Sequence, residues 1–298
     1  MNLLRCATLT VADLDAAIAR FTDWLDYAVV EQGELPADLA AAWVAPASTG
    51  RRYAVMQPAS GAAVYLRFVE GDPVPDYLPI RSFGWAAIEI CVTDVLAVNA
   101  RMTSPGSPFP VIGPPTRIAG IDTIFPMQVR GPDLETIYFT EITTTVPDSG
   151  LPRADSLIDK LFILVLACPD MRATAEWFAR TLNLSTTPPM AIRYSMISQA
   201  FALPITDLHE IVTAKWDGDV FLEFDQYPAG TVVRPAHPGA LPPGVAICTL
   251  TTPDIDAIEA EWLAAPVVRS GAIYGGRRVG VLKTPEGALL EIVEAEIS

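Results

Sequence analysis

One pattern recurs four times along this chain and limits what it can fold into. A short β-prone run is followed, within a few residues, by an aspartate that opens a helical pattern. The runs are Cys6–Val11 (CATLTV), Ala87–Val92 (AIEICV), Ile163–Cys168 (ILVLAC) and Ile247–Thr252 (ICTLTT), and the aspartates are Asp13, Asp94, Asp170 and Asp254. Aspartate is a strong helix N-cap because its carboxylate accepts the unpaired amide hydrogens of the first turn. After Asp13 an apolar face follows at helical spacing: Leu14, Ala17, Ile18, Phe21, Trp24 and Leu25. Met171, Ala175, Phe178 and Leu182 repeat it after Asp170, and Ile255, Ile258, Trp262 and Leu263 after Asp254. The copy after Asp94 (Val95, Val98, Met102) is shorter.

Each helical pattern leads into two or three further β-like runs. These are Arg52–Gln57 and Ala63–Val69; Phe125–Arg130 and Thr136–Glu141; Arg193–Gln199, Glu210–Trp216 and Val220–Asp225; and Arg278–Leu282 and Leu289–Glu294. The unit is therefore βαβββ, and a single unit leaves a sheet face and a helix face open, so units must pair. The expectation is an α+β fold with four βαβββ modules paired into two tandem cup-shaped mixed-sheet domains. The first domain is expected over residues 1–143, with modules at about 1–75 and 82–143, and the second over 156–298, with modules at about 156–230 and 243–298. The polar stretch Thr143–Asp155, with two prolines, supplies a linker at 144–155.

Composition removes several partners. Asp and Glu number 35 against 20 Lys and Arg, a formal charge of −15, so phosphate backbones and anionic membrane surfaces are repelled. No apolar stretch is long enough to span a bilayer, and the first residues do not read as a signal peptide. The four cysteines (Cys6, Cys91, Cys168, Cys248) lack paired spacing, which reads as buried thiols in a reducing cytoplasm. The chain length is compatible with a homo-oligomer as well as a monomer.

The segments CATLTVADLDA (Cys6–Ala16), PDIDA (Pro253–Ala257) and TPEGALLEIVE (Thr284–Glu294) resemble the vicinal oxygen chelate superfamily, which includes glyoxalase I, bleomycin-resistance proteins and extradiol dioxygenases. The resemblance covers nearly the whole chain. It implies that each pair of modules curls into a cup, with a divalent metal held by His or Glu from the first and last strand of each module. The corresponding first-strand positions, seven residues before each capping aspartate, hold Cys6, Ala87, Ile163 and Ile247. The last-strand positions hold Tyr65, Tyr138, Phe221 and Glu291, and only Glu291 matches a family ligand. Metal sites of this type want about three nitrogen or oxygen ligands. The expectation is therefore no metal and no cofactor, which removes the metal-dependent reactions of the family.

Strand side chains alternate, so residues two away from these positions also face the cup. Pairing modules one and two would line a pocket with Cys6, Thr8, Tyr65, Arg67, Trp85, Ala87, Glu89, Tyr138 and Thr140. Arg67 would then anchor an acidic group and Glu89 or a tyrosine would move a proton, or Arg67 and Glu89 would simply neutralise each other. Pairing modules three and four would set Glu223 and Glu291 in a largely apolar cup, where burial raises carboxyl pKa values. Glu291 is then either a proton shuttle or a remnant bonded to Thr249. His209 is expected to be partly exposed, and His237 lies in a proline-rich loop. These residues point to a metal-independent lyase- or isomerase-type enzyme acting on a hydrophobic, aromatic small molecule, with Glu89, Glu291, Tyr65 and Tyr138 as catalytic candidates. Arg67, Cys6, Thr8, Trp85, Thr140 and Glu223 are the substrate-binding candidates. The alternative is a protein of the bleomycin-resistance type that binds a small molecule without turning it over; a scaffold with both cups filled is the third reading.

Overall fold

The computed structural model describes residues 3–118, 120–121, 123–143 and 150–295. Module one runs β1 (Leu4–Val11), α1 (Leu14–Leu25), β2 (Tyr27–Glu34), α2 (Ala37–Ala42), β3 (Arg52–Pro58) and β4 (Tyr65–Glu70). Module two runs β5 (Gly84–Val92), α3 (Val95–Met102), β6 (Val111–Gly113), β7 (Ile124–Arg130) and β8 (Thr136–Ile142). Module three runs β9 (Ile158–Cys168), α4 (Met171–Leu182), β10 (Ser185–Thr186), β11 (Met190–Arg193), α5 (Ser195–Ala200), β12 (Leu208–Trp216) and β13 (Asp219–Gln226). Module four runs β14 (Gly244–Thr252), β15 (Ala264–Arg269), β16 (Arg277–Lys283) and β17 (Leu289–Glu294).

Three of the four aspartates cap helices as their position implies. The side chains of Asp13, Asp94 and Asp170 accept backbone amides of the first turn, from Ala16, from Leu96 and Ala97, and from Ala173. The buried face of α1 is Leu14, Ala17, Phe21 and Leu25. Asp254 makes the same bonds, to the amides of Asp256 and Ala257, but no helix follows. The chain must enter β15 at Ala264, so Ile255 and Ile258 are buried from a turn instead of a helix face. The expected strand Arg193–Gln199 is also corrected. Only Arg193 belongs to a strand, and Ser195–Ala200 forms α5, whose Met196, Ile197 and Ser198 are buried.

The α+β architecture of four modules in two mixed sheets is present, but the partners differ from the expected first-with-second and third-with-fourth. β1 pairs antiparallel with β14, giving an eight-stranded sheet from modules one and four. β5 pairs antiparallel with β9, giving a nine-stranded sheet from modules two and three. All four modules offer the same apolar first-strand edge, so strand periodicity cannot choose among partners. The observed arrangement pairs the sequential modules two and three and leaves the outer two to meet. The stretch Thr143–Asp155 thus joins strands of one sheet, and residues 144–149 of the expected linker lie outside the described residues.

The crossings between sheets are made at residues 71–83 and 227–243. They run together, with Phe83 N donating to Val232 O and Val232 N to Arg81 O, both at 3.0 Å. Each re-enters a sheet through a left-handed glycine, Gly84 (φ 100°) and Gly244 (φ 72°). A Cβ at Gly244 would meet the Tyr77 hydroxyl at 2.5 Å, so this entry requires glycine twice over. One core gathers Phe21, Val98 and Phe178 from the three long helices with Phe68, Ile90, Phe224 and Ile292 from both sheets. Two smaller apolar clusters fill or line the opposite faces, which are the interiors of the cups.

Candidate functional site

The parallel ladders define the centre of each cup. In each module the residue five before the aspartate lies beside a last-strand residue: Thr8 with Arg67, Glu89 with Tyr138, Val165 with Glu223, and Thr249 with Glu291. The sheet pairing then distributes these eight positions. Thr8, Arg67, Thr249 and Glu291 share the cup of modules one and four, and Glu89, Tyr138, Val165 and Glu223 share the cup of modules two and three.

The one-four cup is sealed by its own chain. Arg67 and Glu291 form an ion pair at 2.8 Å, with side chains 2% and 0% exposed. Arg67 Nε donates to Thr8 Oγ1 at 2.9 Å and Nη1 to the Tyr274 hydroxyl at 2.5 Å. Glu291 accepts from Trp43 Nε1, Tyr274 OH and Thr249 Oγ1, each at 2.8 Å. The guanidinium also lies 4.4 Å from the Trp43 ring. Trp43 is delivered by α2, and Tyr274 by the loop between β15 and β16. These covers are fastened by Arg269 to Asp38 at 2.6 Å and by Ala272 N to Glu31 at 2.6 Å.

Several expectations are corrected here. Arg67 pairs with Glu291 and not Glu89, since those two carboxylates sit in different sheets. The Glu291 pKa does not rise: burial pushes it upward, but the Arg67 charge and three donated hydrogen bonds outweigh burial and hold it below the ordinary carboxylate value. Cys6 and Tyr65 belong to the apolar filling of this sealed cup, and burial pushes the Cys6 thiol up to about 12. Trp85 faces the shared core and donates from its indole nitrogen to Leu289 O at 2.8 Å.

The two-three cup is open. Its cavity has a volume of about 770 Å³ and reaches from a floor containing Glu89, Tyr138, Thr140 and Glu223 to a rim including Ile118, Ile121 and Ile205. Glu89 and Glu223 are 7% and 6% exposed. Thr140 Oγ1 donates to Glu89, and Tyr194 OH donates to Glu223 at 2.6 Å. Among the described residues neither carboxylate has a cationic partner, in contrast to Glu291. Burial and then the Glu223 charge push Glu89 up to about 8, and burial raises Glu223 against the donated Tyr194 bond. The pair therefore keeps at least one proton at neutral pH.

The sequence missed Tyr194, which sits where a third strand was expected, and Asp225, two residues beyond Glu223 on the same strand face. Asp225 is fully buried against Glu223, and the hydroxyls of Tyr138 and Tyr227 have no hydrogen-bond partner among the described residues. Burial and then the Glu223 charge raise its pKa well above the usual value. A charged residue next to an inward-facing carboxylate position was the available signal. His209 is buried and bonded to Ser198 at 2.9 Å, against the expected partial exposure, while His237 lies in a loop with Nε2 at 3.0 Å from Pro73 O.

The donor sets do not fit the divalent metal that the resemblance implies. The centre of the one-four cup already holds the Arg67 guanidinium. The centre of the two-three cup supplies two carboxylates, and Val165 and Tyr138 occupy the other positions. No group of three His, Cys, Asp or Glu side chains among the described residues is arranged to hold a metal ion.

The unpaired carboxyls predict an unusual pH dependence. Glu135, buried beside Asp133, is also pushed up to about 8 by burial and then by that charge. A carboxyl whose folded pKa is raised binds more protons folded than unfolded, so its contribution to stability falls as pH rises toward the folded value. Melting temperature is expected to drop between pH 6 and 8.5, with Glu89 and Glu135 each contributing on the order of 2 kcal/mol. Thermal melts at fixed ionic strength check this, and Glu89→Gln should flatten the slope.

With the geometry established, the comparisons place the fold. Maize (Zea mays) glyoxalase I superposes with a TM-score of 0.65 at 13% identity, covering 98% of this chain and 92% of that one. A single-residue variant of the maize enzyme gives the same TM-score at 14% identity and the same coverage. A Bacillus subtilis protein described as a proposed dioxygenase gives 0.60 at 12% identity, covering 98% and 86%. No protein-family model matches the sequence. No curated protein matches it either. The chain has the vicinal oxygen chelate fold along its whole length. No helix among the described residues is long and apolar enough to cross a membrane.

Proposed function

We propose that this chain is a metal-independent enzyme of isomerase or lyase type, acting on a hydrophobic, aromatic small molecule in the two-three cup. The observation that carries this reading is the contrast between the cups. The central positions hold a closed Arg67–Glu291 pair under a plug in one cup, and in the other two buried carboxyls that face a cavity of about 770 Å³ with no cationic partner among the described residues. Two buried carboxyls in one cup, one protonated and one ionised, can serve as acid and base together. The Glu223 carboxylate takes a proton from a carbon next to a carbonyl, and the Glu89 carboxyl gives its proton to the carbonyl oxygen, forming an enol. In a ketone with a β,γ double bond, the enol returns its O–H proton to Glu89 while Glu223 delivers the abstracted proton to the γ-carbon, yielding the conjugated isomer. In a ketone with a β-substituent, the enol returns its O–H proton to Glu89 as the bond to the substituent breaks, and the departing group takes the proton from Glu223, yielding the lyase outcome. Tyr138 and Tyr194, with ring centroids 6.2 Å apart, offer aromatic surface beside both carboxyls.

Arg67, Glu291, Cys6, Thr8 and Tyr65 take no part in this chemistry, since they lie under the plug. The four buried free thiols suit a reducing cytoplasm, and the net charge argues against nucleic-acid or anionic-membrane partners. The test is a ligand screen with aryl ketones in the presence of chelator, followed by proton NMR of binders in D2O. Deuterium should enter at the carbon next to the carbonyl, and Glu223→Gln should stop it. Exchange that vanishes with chelator and returns with a divalent ion would refute metal independence. Tight binding without exchange would favour a sequestering protein.

A further inference from the structure

The charges lining the two-three cup run against those of the molecule. In a chain of net charge −15, the described residues of this lining include three cations, Arg117, Arg193 and Lys215, and their only carboxylates are Glu89 and Glu223 at the floor. Arg117 and Arg193 are exposed at the rim, and Arg117 stacks over the Phe125 ring at 4.4 Å. Lys215 is different. It is half-buried in the wall, and neither it nor Arg193 forms an ion pair among the described residues. A partly desolvated ammonium in an apolar wall is costly without an anionic partner.

The strand ladder fixes where Lys215 lies relative to the floor. On β12, Thr213 pairs with Glu223 on β13, and Lys215 pairs with Val220. Thr213 and Lys215 both line the cavity two residues apart on β12, roughly 7 Å at the usual strand rise, with a shift of register against β13 between Ala214 and Lys215. That offset is about the length of one aromatic ring with its substituents. The wall around it is apolar, with Phe162, Val220 and Leu151 among its side chains.

We propose that the ligand of this cup is an amphiphilic aromatic anion, whose carboxylate-like group contacts Lys215 while the reacting carbon lies one ring away, at Glu89 and Glu223. This rests on the two-three cup being the working site and adds the substrate class. Arg193 and Arg117 at the rim raise the local potential and draw such an anion toward a molecule that otherwise repels it.

The probes are 4-acetylbenzoate and its neutral counterpart 4-acetylbenzamide, which carry the same enolisable ketone across the ring. Calorimetric titration of the full-length protein should show the carboxylate binding about tenfold tighter than the amide, with the difference shrinking as salt is added. Lys215→Gln should erase the difference and leave amide affinity unchanged. Equal affinities in the wild type, or a preference that survives Lys215→Gln, would overturn the anion assignment while amide binding still upholds the cup as a ligand site. Failure of both probes to bind the wild type, with no deuterium entering the acetyl group, would overturn the underlying reading as well.

Discussion

Arg67→Ala is expected to be the most damaging single substitution in this protein, although it lies outside the open cup. It leaves Glu291 with no countercharge at a position that water does not reach. Removing one partner of a buried pair typically costs about 3–5 kcal/mol, because the remaining charge stays desolvated. The guanidinium also covers the Trp43 ring and bonds Thr8 and Tyr274, so packing is lost with the charge. Urea unfolding followed by circular dichroism should show a large fall in midpoint, and ligand affinity of the folded fraction should be unchanged.

A control separates the charge from its surroundings. Replacing an isolated buried ion pair by apolar residues is often neutral or stabilising. Here Arg67→Leu with Glu291→Leu would also strand the Trp43 indole nitrogen and the hydroxyls of Tyr274, Thr8 and Thr249, each costing about 1–3 kcal/mol if left unpaired. The double variant is therefore expected to remain well below wild-type stability. A double variant as stable as the wild type would mean that the plug is held by packing alone.

The parts of this fold that were legible in the sequence are those written locally. Asp13, Asp94 and Asp170 marked helix starts because a cap acts within one turn, and the strands after them showed in runs such as Ala63–Val69, which overlaps β4 (Tyr65–Glu70). Asp254 misled because its capping bonds do form, yet the chain from Ile255 to Leu263 reaches β15 without forming a helix. Module pairing was not legible, since Cys6–Val11 and Ile247–Thr252 read like the other first strands and nothing within either run names its partner. That one unknown decided the sites. Glu89 and Glu223 were each visible as charges on inward positions, but their meeting depends on β5 pairing with β9. Likewise Arg67 and Glu291 are 224 residues apart, and Trp43 ends a run of alanines that carries no periodic signal.

The opposite result is expected at the floor of the open cup, where Glu89→Gln with Glu223→Gln should raise stability as it abolishes turnover. Both carboxyls are buried without a cationic partner among the described residues, and the Glu223 charge raises the cost of ionising Glu89. An amide keeps an oxygen to accept the hydrogen bonds from Thr140 and Tyr194 while removing the charge. Relief of a buried like-charge pair should add on the order of 1–3 kcal/mol at pH 8.5, and less at pH 6, where the wild-type pair is already protonated. Losing a positioned acid or base typically costs about 10²–10⁴-fold in rate, so proton exchange on a bound ketone should fall by at least that range. The sign of the stability change discriminates between roles. Carboxylates that gripped a cation or merely filled the cup would make the double variant less stable than the wild type. A pair kept for chemistry, in a cup whose counterpart has been neutralised by Arg67 and covered by Trp43, should make it more stable.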